Sequence, residues 1–186
     1  MQFPKSTTLT TQNLRLRIPS KADFPHIFSA TRYEGFNDGM LWEPPETEVE
    51  LIKPLEAGIT RWEEGSAYGF TIEEKETNEF LGRISIRKTK EADRWNIGFW
   101  THPKHQGRGI MTAAVSAILK FGFTQFNVKT IEAYYATWNK GSEKVLHRNG
   151  LHFVKFIEQG FFKNGKWTAE NMVEINREDW LKGERE

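Results

Sequence analysis

Leu14, Leu16 and Ile18 alternate with Asn13, Arg15 and Arg17, the period of two that sorts apolar and polar side chains onto opposite faces of a strand. Pro19 ends that run. Ser20-Lys21-Ala22-Asp23 then has the composition of a helix cap, opening a short helix to about residue 30. Thr47-Glu48-Val49-Glu50 is a capping box and predicts a helix to about residue 64, which Pro54 is expected to kink or split. Apolar runs at 68–72 and 80–86 flank the polar turn 73–78 and predict a hairpin. A strand is expected at 94–101, followed by a long amphipathic helix ending near Phe126. Residues 130–135 read as a strand. Residues 139–148 read as a short helix stopped by Asn149-Gly150. The last two runs, 152–162 and 167–175, are joined through Asn164-Gly165, a strong hairpin signal. Residues 32–45 break every period and hold Gly35, Gly39, Pro44 and Pro45, yet they also carry Tyr33, Phe36, Met40 and Trp42.

The resulting order, β-α-α-β-β-β-α-β-α-β-β, predicts an α+β protein with a mixed sheet, because hairpins replace the strict alternation of parallel folds. No repeat or linker divides the chain, so one domain over 1–186 is expected. Composition narrows the function. A net charge of +1 with no sustained basic stripe argues against nucleic-acid binding. The absence of cysteine excludes a disulfide frame, a cysteine nucleophile and a cysteine-based zinc site. The first residues have no apolar signal core, and no apolar run approaches the roughly 20 residues needed to span a bilayer. A cytoplasmic setting without membrane attachment is expected.

The chemistry gathers at Gln106-Gly107-Arg108-Gly109-Ile110-Met111. Two glycines around one basic residue, between a strand and a helix, expose a run of backbone N–H groups at the positive end of a helix dipole, which suits a phosphate. A Rossmann fingerprint needs a third glycine and a ribose-binding acid, and both are missing. Gly160 to Lys166 imitates part of a P-loop, but Trp167 follows the lysine and a strand follows that, so triphosphate binding is not expected there. His102 and His105 lack a third ligand, and no metal is expected.

These residues resemble a known family. Phe99-Trp100-Thr101-His102-Pro103 followed by Gln106 to Met111 is similar to the acetyl-CoA pyrophosphate motif of the GNAT acetyltransferase superfamily. Asn139-Lys140-Gly141-Ser142 through Asn149-Gly150-Leu151 resembles the Asn-x-x-Ser…Gly-Phe element of its ribosomal-protein N-terminal acetyltransferase branch. Leu41-Trp42-Glu43-Pro44-Pro45 and Lys163 to Trp167 look like that branch too. The resemblance covers about residues 10–181. It implies a mixed, mostly antiparallel sheet of six to seven strands with helices on both faces. It also implies two parallel strands that splay apart so that pantetheine can pair with them as a false strand.

The implied activity is direct transfer of acetyl from acetyl-CoA to a primary amine, best guessed as a protein N-terminus. Polyamine, amino-sugar or antibiotic acetylation, or a non-catalytic acyl-CoA-binding module, are the alternatives. The implied coenzyme contacts are Phe99, Trp100, Thr101, Gln106, Gly107, Arg108, Gly109, Ile110, Met111, Asn139 and Ser142. A backbone N–H near Trp100 would polarise the thioester carbonyl, and Ser142 would serve as the acid at sulfur or only as a helix cap. Leu146 stands where many members carry a tyrosine acid. The base is expected to be a carboxylate or a water wire to bulk solvent. Asn96 and Phe161 occupy two positions where relatives carry one, so nearby Glu158 is the candidate, with Glu34 and Glu43 behind it. Tyr33 and Trp42 are expected to line the acceptor mouth. The acids Glu43, Glu46, Glu48 and Glu50 suit either a polyamine or an exposed helix start. The final hairpin is a possible homodimer edge.

Overall fold

The alternation at the N-terminal end becomes a strand whose apolar residues enter the core and whose arginines face the other way. In a computed structural model that describes residues 2–183, Leu14 and Leu16 are buried on one face of strand β2 (Leu14–Arg17). The terminal residues 1 and 184–186 of the expected domain lie outside the described residues. β2 is preceded by the two-residue strand β1 (Leu9–Thr10) and followed by helix α1 (Phe24–Ala30) and helix α2 (Ile52–Glu64). Then come strands β3 (Ala67–Glu74), β4 (Phe80–Lys88) and β5 (Arg94–Thr101), helix α3 (Ile110–Gln125), strand β6 (Thr130–Ala136) and helix α4 (Lys140–Arg148). Strands β7 (His152–Lys163) and β8 (Lys166–Asn176) and helix α5 (Arg177–Gly183) complete the order.

The strands form one sheet in the order β1-β2-β3-β4-β5-β6-β8-β7. Its β5–β6 pair is parallel and the other six pairs are antiparallel. The α+β class and mixed sheet expected from the sequence are therefore present. Eight strands replace six to seven, because Leu9 and Thr10 pair with Leu16 and Arg15 in a segment too short to show a period.

One face of the sheet is the main core. Leu16, Tyr68, Phe70, Ile72, Ile84 and Ile86 pack there with Trp62 of α2 and Val115, Ile118 and Leu119 of α3. α3 is amphipathic as expected: nine of its residues, including Phe121, Gly122 and Phe123, are buried, while Ser116, Lys120 and Thr124 form an exposed stripe four residues apart. It lies against the sheet and is itself covered, with Leu146 of α4 in the same core. The opposite face carries α1. There Asp23 accepts from Thr71 Oγ1 at 2.7 Å and Arg17 Nη2 at 2.7 Å, while Phe24 and Ile27 pack on Phe80.

The helix expected from Thr47 does split. A 3₁₀ turn over Glu48–Leu51 carries the capping box, and α2 starts at Ile52. Pro54 is then a first-turn residue, where its missing N–H costs nothing. Asn164 and Gly165 both adopt positive φ, 51° and 76°, in the expected β7–β8 turn. Among the described residues no helix is long and apolar enough to cross a membrane.

Candidate functional site

The parallel pair defines the site by coming apart. β5 and β6 are in register only from Arg94↔Thr130 to Asn96↔Glu132, although both strands run on to Thr101 and Ala136. Beyond Asn96 their facing edges diverge around a cleft of about 790 Å³. Main-chain donors and acceptors on such edges need partners, so the gap can receive an extended chain of amides. A smaller depression of about 450 Å³ lies by the β4–β5 turn, lined by 88–95 and 125–127. It has neither a helix start nor a splayed strand edge.

At the cleft mouth the glycine loop turns into α3. A 3₁₀ turn, Pro103–His105, leads to Gln106. Gly107 (φ 77°) and Gly109 (φ 75°) adopt the left-handed conformation, and Gly109 is the N-cap of α3 with no side-chain cap. A Cβ at either glycine would meet nothing within 4 Å. The glycines therefore answer to backbone shape, and the space over the loop is open. The first-turn N–H groups of a 16-residue helix point at that space with the helix dipole behind them. Arg108 is half-exposed above the loop, with Nη1 3.2 Å from His105 Nδ1. His102 is buried, and its Nδ1 accepts from the Lys104 N–H at 3.3 Å. Burial, then the neighbouring charges of His105 and Lys104, hold its imidazole below the usual histidine range.

The expected coenzyme residues all converge here. Phe99, Trp100, Thr101, Gln106, Gly107, Arg108, Gly109, Ile110, Met111, Asn139 and Ser142 all line the cleft. Asn139 caps α4 by accepting from the Ser142 N–H at 3.0 Å. Ser142 also borders the cleft, and the capping oxygen at this helix start is that of Asn139. Leu146 is fully buried.

The acceptor side departs from expectation. Trp42 lines the cleft with Phe36 and Met40, but Tyr33 does not. Its ring packs edge-on against His102, 5.6 Å between centroids. The loop that carries these rings is fastened from beneath. The buried Lys163 ammonium donates to the carbonyls of Asn37, Met40 and Trp42 at 2.9, 2.8 and 3.1 Å, while Arg32 Nη2 donates to the Pro45 carbonyl. Phe36 then stands edge-on to Trp100 at 5.2 Å.

Glu158 is not brought to the cleft. It lies exposed on the outermost strand, in the stretch between Ile157 and Phe161 where β7 loses register with β8. Glu34 and Glu43 do not line the cleft either, and Glu43 Oε1 is 3.8 Å from Lys163 Nζ. The carboxylate that does enter is Glu170, opposite Ala136 in register. Burial holds its carboxyl above the usual glutamate range. It lies over Gly160, where a Cβ would sit 2.6 Å from its Oε2. Asn96 also lines the cleft. It is 7% exposed, Nδ2 donates to the Glu132 carbonyl at 3.4 Å, and its Oδ1 is buried without a partner. Tyr134 borders the same space. Burial, with Glu132 nearby, pushes its hydroxyl up to about 12.

Comparison with known proteins agrees with this geometry. The family model described as "Acetyltransferase (GNAT) domain" matches residues 13–152. The "Uncharacterized N-acetyltransferase YoaA" of Bacillus subtilis is 26% identical over 174 residues, 90% of this chain and 95% of its own. The "Ribosomal-protein-serine acetyltransferase" of Escherichia coli is 23% identical over 128 residues, 68% of this chain and 70% of its own. Among solved structures, Mycobacterium smegmatis RimJ in complex with CoA-disulfide superposes with a TM-score of 0.79 at 22% identity, covering 97% of this chain and 96% of that one.

Proposed function

Since the chain belongs to the GNAT acetyltransferase family, we propose that its cleft binds acetyl-CoA and that it passes the acetyl group to a primary amine, with a protein N-terminus as the favoured acceptor. The single observation that carries this reading is the parting of β5 and β6 after Asn96, with the bare start of α3 at its mouth. The named activity of the ribosomal-protein-serine acetyltransferase relative favours a protein acceptor over a polyamine or amino sugar. The acids expected for a polyamine, Glu46, Glu48 and Glu50, stand outside the cleft, where Glu50 accepts from the Thr47 N–H.

The residues fit such a coenzyme. The free edges of β5 and β6 pair with pantetheine amides, and N–H groups between 106 and 111 receive the diphosphate, with Arg108 adding a charge-assisted contact. The main chain near Trp100 donates to the thioester carbonyl, where negative charge develops. An α-amine has a pKa near 8, so a proton must leave before or during attack. Glu170 takes that proton, directly or through a water held by Asn96 Oδ1. Its burial raises its affinity for the proton toward that of the amine it serves. The amine nitrogen bonds to the acetyl carbon, the carbon–sulfur bond breaks, and the departing thiolate receives a proton from Ser142 or solvent. The chain has no cysteine, so an acetyl-cysteine relay is excluded and transfer is direct.

A thiol-release assay with acetyl-CoA and a panel of amines tests the reading. Turnover should be found with a peptide N-terminus and be lost in Glu170→Gln. CoA binding without turnover on any amine would replace the enzyme with a coenzyme-binding module. Phe153, Phe156, Phe162 and Trp167 are exposed on the β7–β8 hairpin, an apolar edge of the kind a second copy covers. A homodimer through β7 is part of the proposal, checked by light scattering of the native protein and Phe156→Glu.

A further inference from the structure

Two arginines occupy the acceptor side of the cleft without a structural task. Arg83, Ser85 and Arg87 alternate along β4, so they share one face. Their register partners on β5, Trp100, Gly98 and Asn96, lie on that same face. All six line the cleft. Elsewhere on this face the arginines are used: Arg17 holds Asp23 and Glu73, and Arg94 holds Glu132 and Glu174.

Arg83 and Arg87 are different. Among the described residues neither forms an ion pair or a hydrogen bond. The opposite charge Arg83 feels is Asp23, already saturated by Arg17, Thr71 and the Ser20 N–H. Arg87 feels the like charge of Arg61. Burial lowers the Arg83 guanidinium from its ordinary value, and enclosure followed by Arg61 lowers that of Arg87. Both remain cations, since arginine does not lose its proton in proteins. Arg83 is half-buried and Arg87 exposed at the rim; an enclosed guanidinium without a partner is unfavourable, and a bidentate oxyanion is what its fork of N–H groups fits.

The other wall has the opposite sign. Glu170 enters from β8, on the far side of the β5–β6 gap from β4. The cleft is thus cationic on the β4 side, acidic on the β8 side, and open between them at the strands that receive the thioester. We propose that the acceptor is zwitterionic: a primary amine directed to Glu170, with a carboxylate or phosphate in the same or the next residue gripped by Arg83 and Arg87. This rests on the acetyltransferase reading above and narrows its substrate class. A polyamine, cationic at both ends, is repelled by the same pair.

The test uses the full chain, acetyl-CoA, and three acceptors of equal length or smaller: amidated Ser-Asp-Glu-Gly, its neutral counterpart Ser-Asn-Gln-Gly, and free aspartate. The acidic peptide or the free amino acid should exceed the neutral peptide in kcat/KM by on the order of tenfold or more. Which of the two leads identifies the source of the anion. Arg83→Gln and Arg87→Gln should each reduce that preference mainly through KM, and Arg83→Lys should restore part of it. In the unaltered protein, raising salt should erode the preference, a check that needs no variant to fold. Turnover with equal kcat/KM for acidic and neutral peptides, or a preference indifferent to salt, would overturn the proposal while leaving the acetyltransferase reading intact. Absence of turnover on all three acceptors and on simple amines would instead remove that reading.

Discussion

The two sides of the cleft offer a ligand different physics. On the α3 side the partners are main-chain N–H groups presented by Gly107 and Gly109, with open space above them. On the acceptor side they are side chains drawn from distant segments. Arg83 and Arg87 come from β4, Glu170 from β8, and Phe36 and Trp42 from a loop that Lys163 pins from the far end of β7. Backbone recognition is local and needs glycine at fixed places. Side-chain recognition is assembled by the sheet, and each component is ordinary in its own stretch of sequence.

The largest break in that comparison should come from the acceptor side. Glu170→Gln keeps the shape and removes the proposed base, and kcat should fall by on the order of 100- to 1,000-fold while CoA affinity is retained. Because burial raises the Glu170 carboxyl, activity in the unaltered protein should rise with pH along a limb above the usual glutamate range. That limb should be absent in Glu170→Gln, as steady-state kcat/KM profiles would record.

The next effect belongs to the coenzyme side. Gly109→Val forces a β-branched residue into φ 75° and covers the helix start. CoA affinity should weaken by on the order of 100-fold by calorimetry, from lost charge-assisted hydrogen bonds and backbone strain. Lys163→Met sharpens the comparison differently. It leaves the Met40 carbonyl without a donor and takes one of two donors from the Asn37 and Trp42 carbonyls, which keep the Met40 N–H and Asn37 Nδ2, and this should cost about 1–3 kcal/mol in denaturant unfolding. It should also raise the acceptor KM more than the CoA Kd.

The smallest effect concerns His102. Its folded-state pKa is depressed by burial, so the unfolded chain binds the proton more readily. Stability should accordingly decline as pH falls below the unfolded value of about 6.5. A thermal melt series should show a loss on the order of 1 °C in Tm there, flattened in His102→Asn.

This division also explains what the sequence disclosed. Periods of two, the capping box at Thr47 and the Asn164-Gly165 turn act through neighbours in the chain, and each appears where its pattern placed it. The glycine loop was legible for the same reason. α3 was legible too, because Ser116, Lys120 and Thr124 recur every fourth residue on its exposed side. β1 is too short for any period. α5 did leave a signal that went unread: Asn176 Oδ1 accepts from the Asp179 N–H at 2.8 Å, an Asn-x-x-Asp cap. A count back from the Asn164-Gly165 turn points to Glu158. The irregular stretch between Ile157 and Phe161 upsets that count, and Glu170 enters from the returning strand. Asn96 looked like a lost base, whereas its position in the fold is that of a buried acceptor, Oδ1, facing the cleft.

The account depends most on backbone N–H groups between residues 106 and 111 holding a diphosphate at the start of α3. Titrating CoA into ¹⁵N-labelled protein and following the amide resonances tests it residue by residue. Gly107, Gly109, Ile110 and Met111 should shift strongly with CoA and remain in place with pantetheine, which lacks the diphosphate. Loop amides that ignore CoA, or that move equally with pantetheine, would contradict it.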